Sequence, residues 1–233
     1  MSNIKRKIRL ALLDDHPIFR QSFKILCDEE KDLKLVGSYG ESAELFTQLQ
    51  FVKCDVLILD YLLLAEDQDG LSLIKSLLSR YPDINILLST SVESMAVIRA
   101  AYMLGIKGYI SKRESGTVYS SAIRTVAHGQ RFIPPAIAEQ LVQFTGKNND
   151  YLPKPHSHDV DASSVLDKLL TPSETTVISY FLSGMSISDI AKELERSRKT
   201  VAGHKNNALR KMGMKSDLEL FKFHNDFFKQ KIA

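Results

Sequence analysis

The chain is poor in cysteine and has no long apolar stretch, and each absence narrows its chemistry. Only Cys27 and Cys54 occur among 233 residues. They show no metal-ligand spacing, and an intracellular protein keeps such thiols reduced. No apolar run approaches the ~20 residues needed to cross a bilayer. The opening segment Met1–Lys7 is basic but leads into a short strand ending in acids. It lacks the apolar core and cleavage site of a secretory leader. These absences predict a cytoplasmic protein without a membrane role. What remains is ordinary for a globular chain, 44% hydrophobic and 25% charged, with room for one large or two small domains.

Charge is distributed unevenly. Residues 1–130 hold 16 basic and 16 acidic side chains, whereas Arg196–Lys215 holds seven basic residues and no acid. A local excess of this kind points the second part of the chain toward a polyanion.

The first part alternates strand and helix. Four apolar runs end in polar or charged groups: Ile8–Leu13 before Asp14-Asp15, Val56–Leu59 before Asp60, Ile86–Ser89 before Thr90, and Gly108–Ser111 before Lys112. A further strand is expected over Leu33–Ser38. Helices are expected from Pro17 (with Ile18, Phe19, Phe23, Ile25 and Leu26 as its apolar side), over Ser42–Gln50, Gly70–Arg80, Glu93–Leu104 and Glu114–His128. Five strands alternating with five helices imply an α/β doubly wound parallel sheet. Groups at the carboxyl ends of its strands share one rim, where open α/β sheets bind ligands.

Two carboxylates about 5 Å apart repel by roughly 3 kcal/mol at an effective dielectric near 20. Three therefore call for a cation, and oxygen ligands favour Mg²⁺. Asp60 could then serve as a carboxylate nucleophile toward a phosphoryl group. Lys112 would neutralise charge on that group, and Thr90 would donate a hydrogen bond to it.

These residues resemble the receiver domain of two-component response regulators, with intervals of 45, 30 and 22 residues separating Asp15, Asp60, Thr90 and Lys112. The resemblance implies a five-stranded flavodoxin-like sheet with Asp60 as phosphoacceptor. It implies Mg²⁺ held by Asp14, Asp15, Asp60 and the backbone carbonyl of Leu62. It also implies a switch made of Thr90, Lys112 and Tyr109. The chain departs from the family pattern after Asp60, where Tyr61-Leu62-Leu63-Leu64 replaces the usual Met-Pro, and Glu66, Asp67 and Asp69 crowd the loop. Arg113 stands where proline often follows the lysine.

Residues 131–164 read as a linker, with a short helix over Ala136–Phe144 and a polar stretch from Gly146 to Ser164. Nineteen flexible residues reach about 25 Å end to end. Residues 165–233 read as an all-α domain of four helices. Thr171-Pro172-Ser173-Glu174 forms a capping box, Gly184 ends the first helix, Ser197 caps the third and Gly213 closes it. The stripe Val177, Ile178, Phe181 and Leu182 is expected to be buried. Two short helices joined by a tight turn, the second one basic, make a helix-turn-helix whose second helix is expected to enter the major groove.

Leu170–Val177, Ile190–Leu194, Ser197–His204 and Lys211–Gly213 are similar to the LuxR-type helix-turn-helix. A receiver joined to this module resembles the NarL/FixJ class of response regulators and, within it, the RcsB-like branch. By position, Ala202, Gly203 and Asn206 are expected at base edges of promoter DNA, and Lys199, Thr200, Lys205 and Lys211 at its backbone. The class implies a non-enzymatic transcription regulator, loaded at Asp60 by a sensor histidine kinase or a small phosphodonor and acting as a homodimer. A heterodimer with another regulator, working without phosphorylation, is the alternative. An Mg²⁺-dependent phosphohydrolase is a further one, although Leu62 stands where such enzymes usually carry a general acid. Leu220, Phe221, Phe227 and Phe228 are expected to leave the last helix with an apolar pairing surface.

Overall fold

The computed structural model describes residues 6–63, 70–91, 94–138, 170–214 and 216–228. By its internal contacts the chain divides into two compact units, Met1–Val92 with Leu104–Pro135 and Glu93–Met103 with Ala136–Ala233.

The strands are β1 (Ile8–Leu13), β2 (Leu33–Tyr39), β3 (Val56–Leu59), β4 (Asn85–Thr90) and β5 (Gly108–Ser111). They form one parallel sheet in the order β2-β1-β3-β4-β5. Leu10–Leu13 and Val56–Leu59 are at most 1% exposed, so these runs are apolar throughout rather than alternating. That is the pattern of a sheet covered on both faces. Strand order reverses between β1 and β3, and a crevice opens at the carboxyl ends of the strands at such a reversal. Asp14-Asp15 follows β1 and Asp60 follows β3, so the topology brings all three acids to that crevice.

The connecting helices are α1 (Pro17–Glu29), α2 (Ser42–Gln48), α3 (Gly70–Arg80), α4 (Met95–Leu104) and α5 (Gly116–Ala127). Pro17 opens α1, where its missing N–H costs nothing. The apolar side of α1 is narrower than the sequence reading has it. Phe23 and Cys27 are buried and Phe19 and Leu26 are partly buried against the same core, but Ile18 is 80% and Ile25 54% exposed. At 3.6 residues per turn Ile18 and Ile25 lie roughly 100° round the helix from that stripe.

Besides Glu93–Met103, the second unit contains α6 (Pro172–Leu182), α7 (Ile187–Glu193), α8 (Arg198–Met212) and α9 (Asp217–Phe228). Both halves of the capping box form on α6: Glu174 N donates to Thr171 Oγ1 at 3.4 Å, and Thr171 N donates to Glu174 Oε2 at 2.8 Å. Ser186 and Ser197 cap α7 and α8, and Gly213 closes α8 in the left-handed region at φ 69°. Val177, Ile190, Ala191 and Val201 form the core of this unit. Ile178 is buried as expected, whereas Phe181 and Leu182 are only half-buried.

The last helix also differs from expectation. Leu220 is fully buried, and the Phe221 ring packs against Phe181 with centroids 5.5 Å apart. Both therefore serve the domain's interior rather than a pairing surface. The side chains of Phe227 and Phe228 lie outside the described residues. Leu218, 78% exposed, is an apolar residue that α9 does leave at the surface. Of the expected helix Ala136–Phe144, residues 136–138 are described and helical; the polar stretch from Gly146 to Ser164 and the acids Glu66, Asp67 and Asp69 lie outside the described residues.

Candidate functional site

The acidic rim is assembled by strand ends. Asp60 N donates to Leu13 O at 2.9 Å and Asp14 N to Tyr39 O at 3.1 Å, so the ladder itself places both residues. Asp14 and Asp60 are 1% and 3% exposed. Lys112 Nζ, on a side chain 13% exposed, lies 2.6 Å from Asp14 Oδ2 and 2.6 Å from Asp60 Oδ2. Its ammonium also sits 4.9 Å from the centre of the Phe19 ring. The backbone N of Lys112 donates to Thr90 O at 3.1 Å, tying the lysine to the end of β4.

Burial is the largest influence on Asp60 and raises its carboxyl above the ordinary range. Lys112 pulls the other way, and the nearby Asp14 charge adds to the rise. For Lys112, burial works against the charge, but the bonds to Asp14 and Asp60 outweigh it and the ammonium is held above its usual value. The lysine therefore stays charged, and Asp60 is more basic than a free aspartate.

Asp14, Asp15, His16 and Asp60 each present one ligand atom, all within 4.8 Å of one another. Three carboxylates in this cluster are a hard, oxygen-rich donor set, which fits Mg²⁺. His16 is the member that sequence reading missed. Its Nδ1 lies 2.7 Å from Asp15 Oδ1 and 3.3 Å from Asp14 Oδ1. Its adjacency to the acid pair was the available signal. Leu62 N donates to Asp60 Oδ1 at 3.3 Å, which puts the Leu62 backbone beside the carboxylate. Thr90 is fully buried at the end of β4, and Tyr109 is 2% exposed on β5.

The second set of expected residues lies on α8. Lys199, Thr200, Gly203 and Asn206 are exposed and Ala202 is half-buried. A methyl group added at Gly203 would meet nothing within 4 Å, so packing within the domain does not require glycine there. Lys205 and Lys211, both expected at the DNA backbone, are bonded within the domain. Lys205 Nζ lies 2.6 Å from Asp217 Oδ1, and Lys211 Nζ 2.7 Å from Glu174 Oε2.

Residues 10–124 match the family described as response regulator receiver domain, and residues 168–223 match the luxR family of bacterial regulatory proteins. Among curated relatives, the transcriptional regulatory protein RcsB of Escherichia coli (strain K12) is 26% identical over 217 residues, covering 93% of each chain. The oxygen regulatory protein NreC of Staphylococcus epidermidis is 27% identical over 216 residues, 93% of this chain and 96% of that one. Among solved structures, the complex of the two-component response regulator RcsB with DNA superposes with a TM-score of 0.73 at 25% identity, covering 95% of this chain and 99% of that one. RcsB from Salmonella enterica serovar Typhimurium, bound to a promoter in the presence of the phosphomimetic BeF3-, gives 0.71 at 26% identity, again covering 95% and 99%.

Proposed function

Since the chain belongs to the NarL/FixJ family of two-component response regulators and is RcsB-like within it, we propose that Asp60 is its phosphoacceptor and that phosphorylation governs its binding to promoter DNA. It is a DNA-binding transcription regulator with receiver and helix-turn-helix domains, not an enzyme.

An Asp60 carboxylate oxygen attacks phosphorus while the bond from phosphorus to the donor breaks. The leaving group keeps that electron pair, and an acyl phosphate remains on Asp60. Lys112, already 2.6 Å from Asp60, neutralises charge on the incoming group, and Thr90 turns toward it as a hydrogen-bond donor. Tyr109, on β5 opposite Leu88, completes the proposed switch. Asp14, Asp15 and Asp60, with His16 in reach and the Leu62 carbonyl as the family resemblance implies, would hold Mg²⁺, which when bound offsets the charge on phosphoryl oxygens. Phosphorylation then shifts a population toward the DNA-competent form. The donor is a sensor histidine kinase or a small phosphodonor in the cytoplasm. Residues 1–130 act as the receiver, 131–164 as the tether and 165–233 as the DNA-binding domain. By analogy with RcsB, which binds DNA as dimers, two copies engage two half-sites.

The observation that carries this reading is Lys112 bridging Asp14 and Asp60 at the strand ends, 2.6 Å from each. Incubation with a small acyl-phosphate donor and Mg²⁺ tests it. One phosphoryl group per chain is expected, hydroxylamine-labile and absent from Asp60→Ala. Undiminished labelling of that variant would overturn the assignment.

A further inference from the structure

The basic residues of the helical domain fall into two physically different groups. Exposure separates them. Arg196, Arg198 and Lys199, at the amino end of α8, are exposed, and no acid follows them in the sequence until Asp217. Their backbone also opens a helix, whose unpaired N–H groups favour an anion nearby.

Lys205 and Lys211 are placed otherwise. The Lys205 side chain is 13% exposed. Its ammonium meets both Asp217 oxygens, at 2.6 and 2.7 Å, and lies 4.4 Å from the centre of the Phe181 ring. One lysine on α8 thereby holds α9 through a carboxylate and α6 through an aromatic face. Lys211 reaches Glu174 Oε2 at 2.7 Å, the same oxygen that accepts from Thr171 N in the capping box. The Glu174 side chain is 5% exposed. Drawing either lysine out to a phosphate would leave its carboxylate unpaired, and for Glu174 unpaired and buried, which is costly.

Resting on the reading that this domain binds DNA, we infer that Lys205 and Lys211 are positioning residues that hold the recognition helix against α6 and α9, and that the phosphate contacts fall to Arg196, Arg198 and Lys199. A lysine that neutralises a phosphate releases a counterion on binding, whereas a lysine already paired in the free protein does not. The two roles therefore differ in the salt dependence of binding and not only in affinity.

The test uses the full-length chain and a duplex of scrambled sequence, with binding followed over a salt series. Lys199→Gln and Arg198→Gln are each expected to lower the slope of log K against log salt by about 0.9 per bound protomer. Lys205→Met and Lys211→Met are expected to weaken binding several-fold with the slope held within about 0.3. Asp217→Asn gives a test of sign. If Lys205 positions the helix, losing Asp217 weakens binding; if Lys205 contacts phosphate, freeing it strengthens binding. The exchange Lys205→Asp with Asp217→Lys is expected to restore the affinity that Lys205→Asp alone removes. Thermal melts ensure that each variant is compared below its own midpoint, and the exchanged pair keeps the question decidable if a single variant unfolds. A slope reduced by about 0.9 in Lys205→Met, tighter binding by Asp217→Asn, or no rescue by the exchange would each overturn the inference. If the wild-type chain bound no duplex even at low salt, the DNA-binding reading would fail and take the inference with it.

Discussion

Lys112 and Lys205 look alike when each is measured alone. Both side chains are 13% exposed, and both ammonium groups lie 2.6 Å from a carboxylate oxygen and within 5 Å of a phenylalanine ring. They differ in what surrounds the pair. Lys112 sits between Asp14 and Asp60, with Asp15 and an exposed histidine in the same cluster and the Arg20 guanidinium 2.7 Å from the Asp14 carbonyl. Several carboxylates converge there into an oxygen-rich donor set, which fits Mg²⁺. Lys205 faces one carboxylate, and the account closes within the domain. The two lysines differ in how many carboxylates converge on them, two at Lys112 and one at Lys205.

Asp60→Ala should break the comparison most completely, because it removes the proposed phosphoacceptor. Labelling by a phosphodonor should vanish while the helical domain still binds DNA. Lys112→Met comes next. Without its cation the acidic cluster should bind Mg²⁺ about tenfold more tightly by calorimetry, equivalent to about 1.4 kcal/mol. Phosphodonor treatment should then no longer raise DNA affinity. Looser Mg²⁺ binding by this variant would mean that the cluster does not carry surplus negative charge.

Glu174→Gln probes a balanced joint. It should cost about 1.5 kcal/mol of the helical domain's stability in denaturant titrations at neutral pH. Burial pulls the Glu174 carboxyl upward, but Lys211 and the Thr171 backbone and hydroxyl outweigh it, so it is held below its ordinary 4.5. A depressed carboxylate stabilises fully above its unfolded value and loses that contribution as pH falls through the folded one. The gap between wild type and Glu174→Gln should therefore be constant above pH 4.5 and close in more acidic solution. A gap independent of pH would show that Lys211 is not its source.

Gly203→Ala should have the smallest effect on the fold and the opposite sign. The added methyl meets nothing, so the recognition helix should gain about 1 kcal/mol and the melting midpoint should rise. If Gly203 lets the helix approach the groove floor, DNA affinity should fall in the same variant. Asn206→Ala should cost about 1–3 kcal/mol at one base pair and leave the salt slope unchanged. Equal losses on matched and scrambled duplexes would show that Asn206 does not read a base.

Much of this molecule was legible in one dimension. The residues that end β1, β3 and β4 sit one step past apolar runs, and a parallel sheet carries strand ends to one rim whatever else the chain does. Caps were legible for the same reason: Thr171 with Glu174, Ser197 and Gly213 act on backbone groups a few residues away. His16 was less so, because its role depends on how the ring turns toward Asp15.

What the sequence by itself determined, then, is local or topological: the alternation of elements, the caps, and the gathering of Asp14, Asp15, Asp60, Thr90 and Lys112 at one end of the sheet. What only the tertiary structure decided is how each exposed-looking group is used. Ile18 and Ile25 face outward because the core of the first unit covers a narrow stripe of α1. Leu220 is buried and Phe221 packs against Phe181, a ring from another helix. Lys205 and Lys211 read as free cations in the chain, yet their partners Asp217, Phe181 and Glu174 come from other helices. Helical spacing names the neighbours on one helix, but it cannot name the charge that a second helix brings alongside.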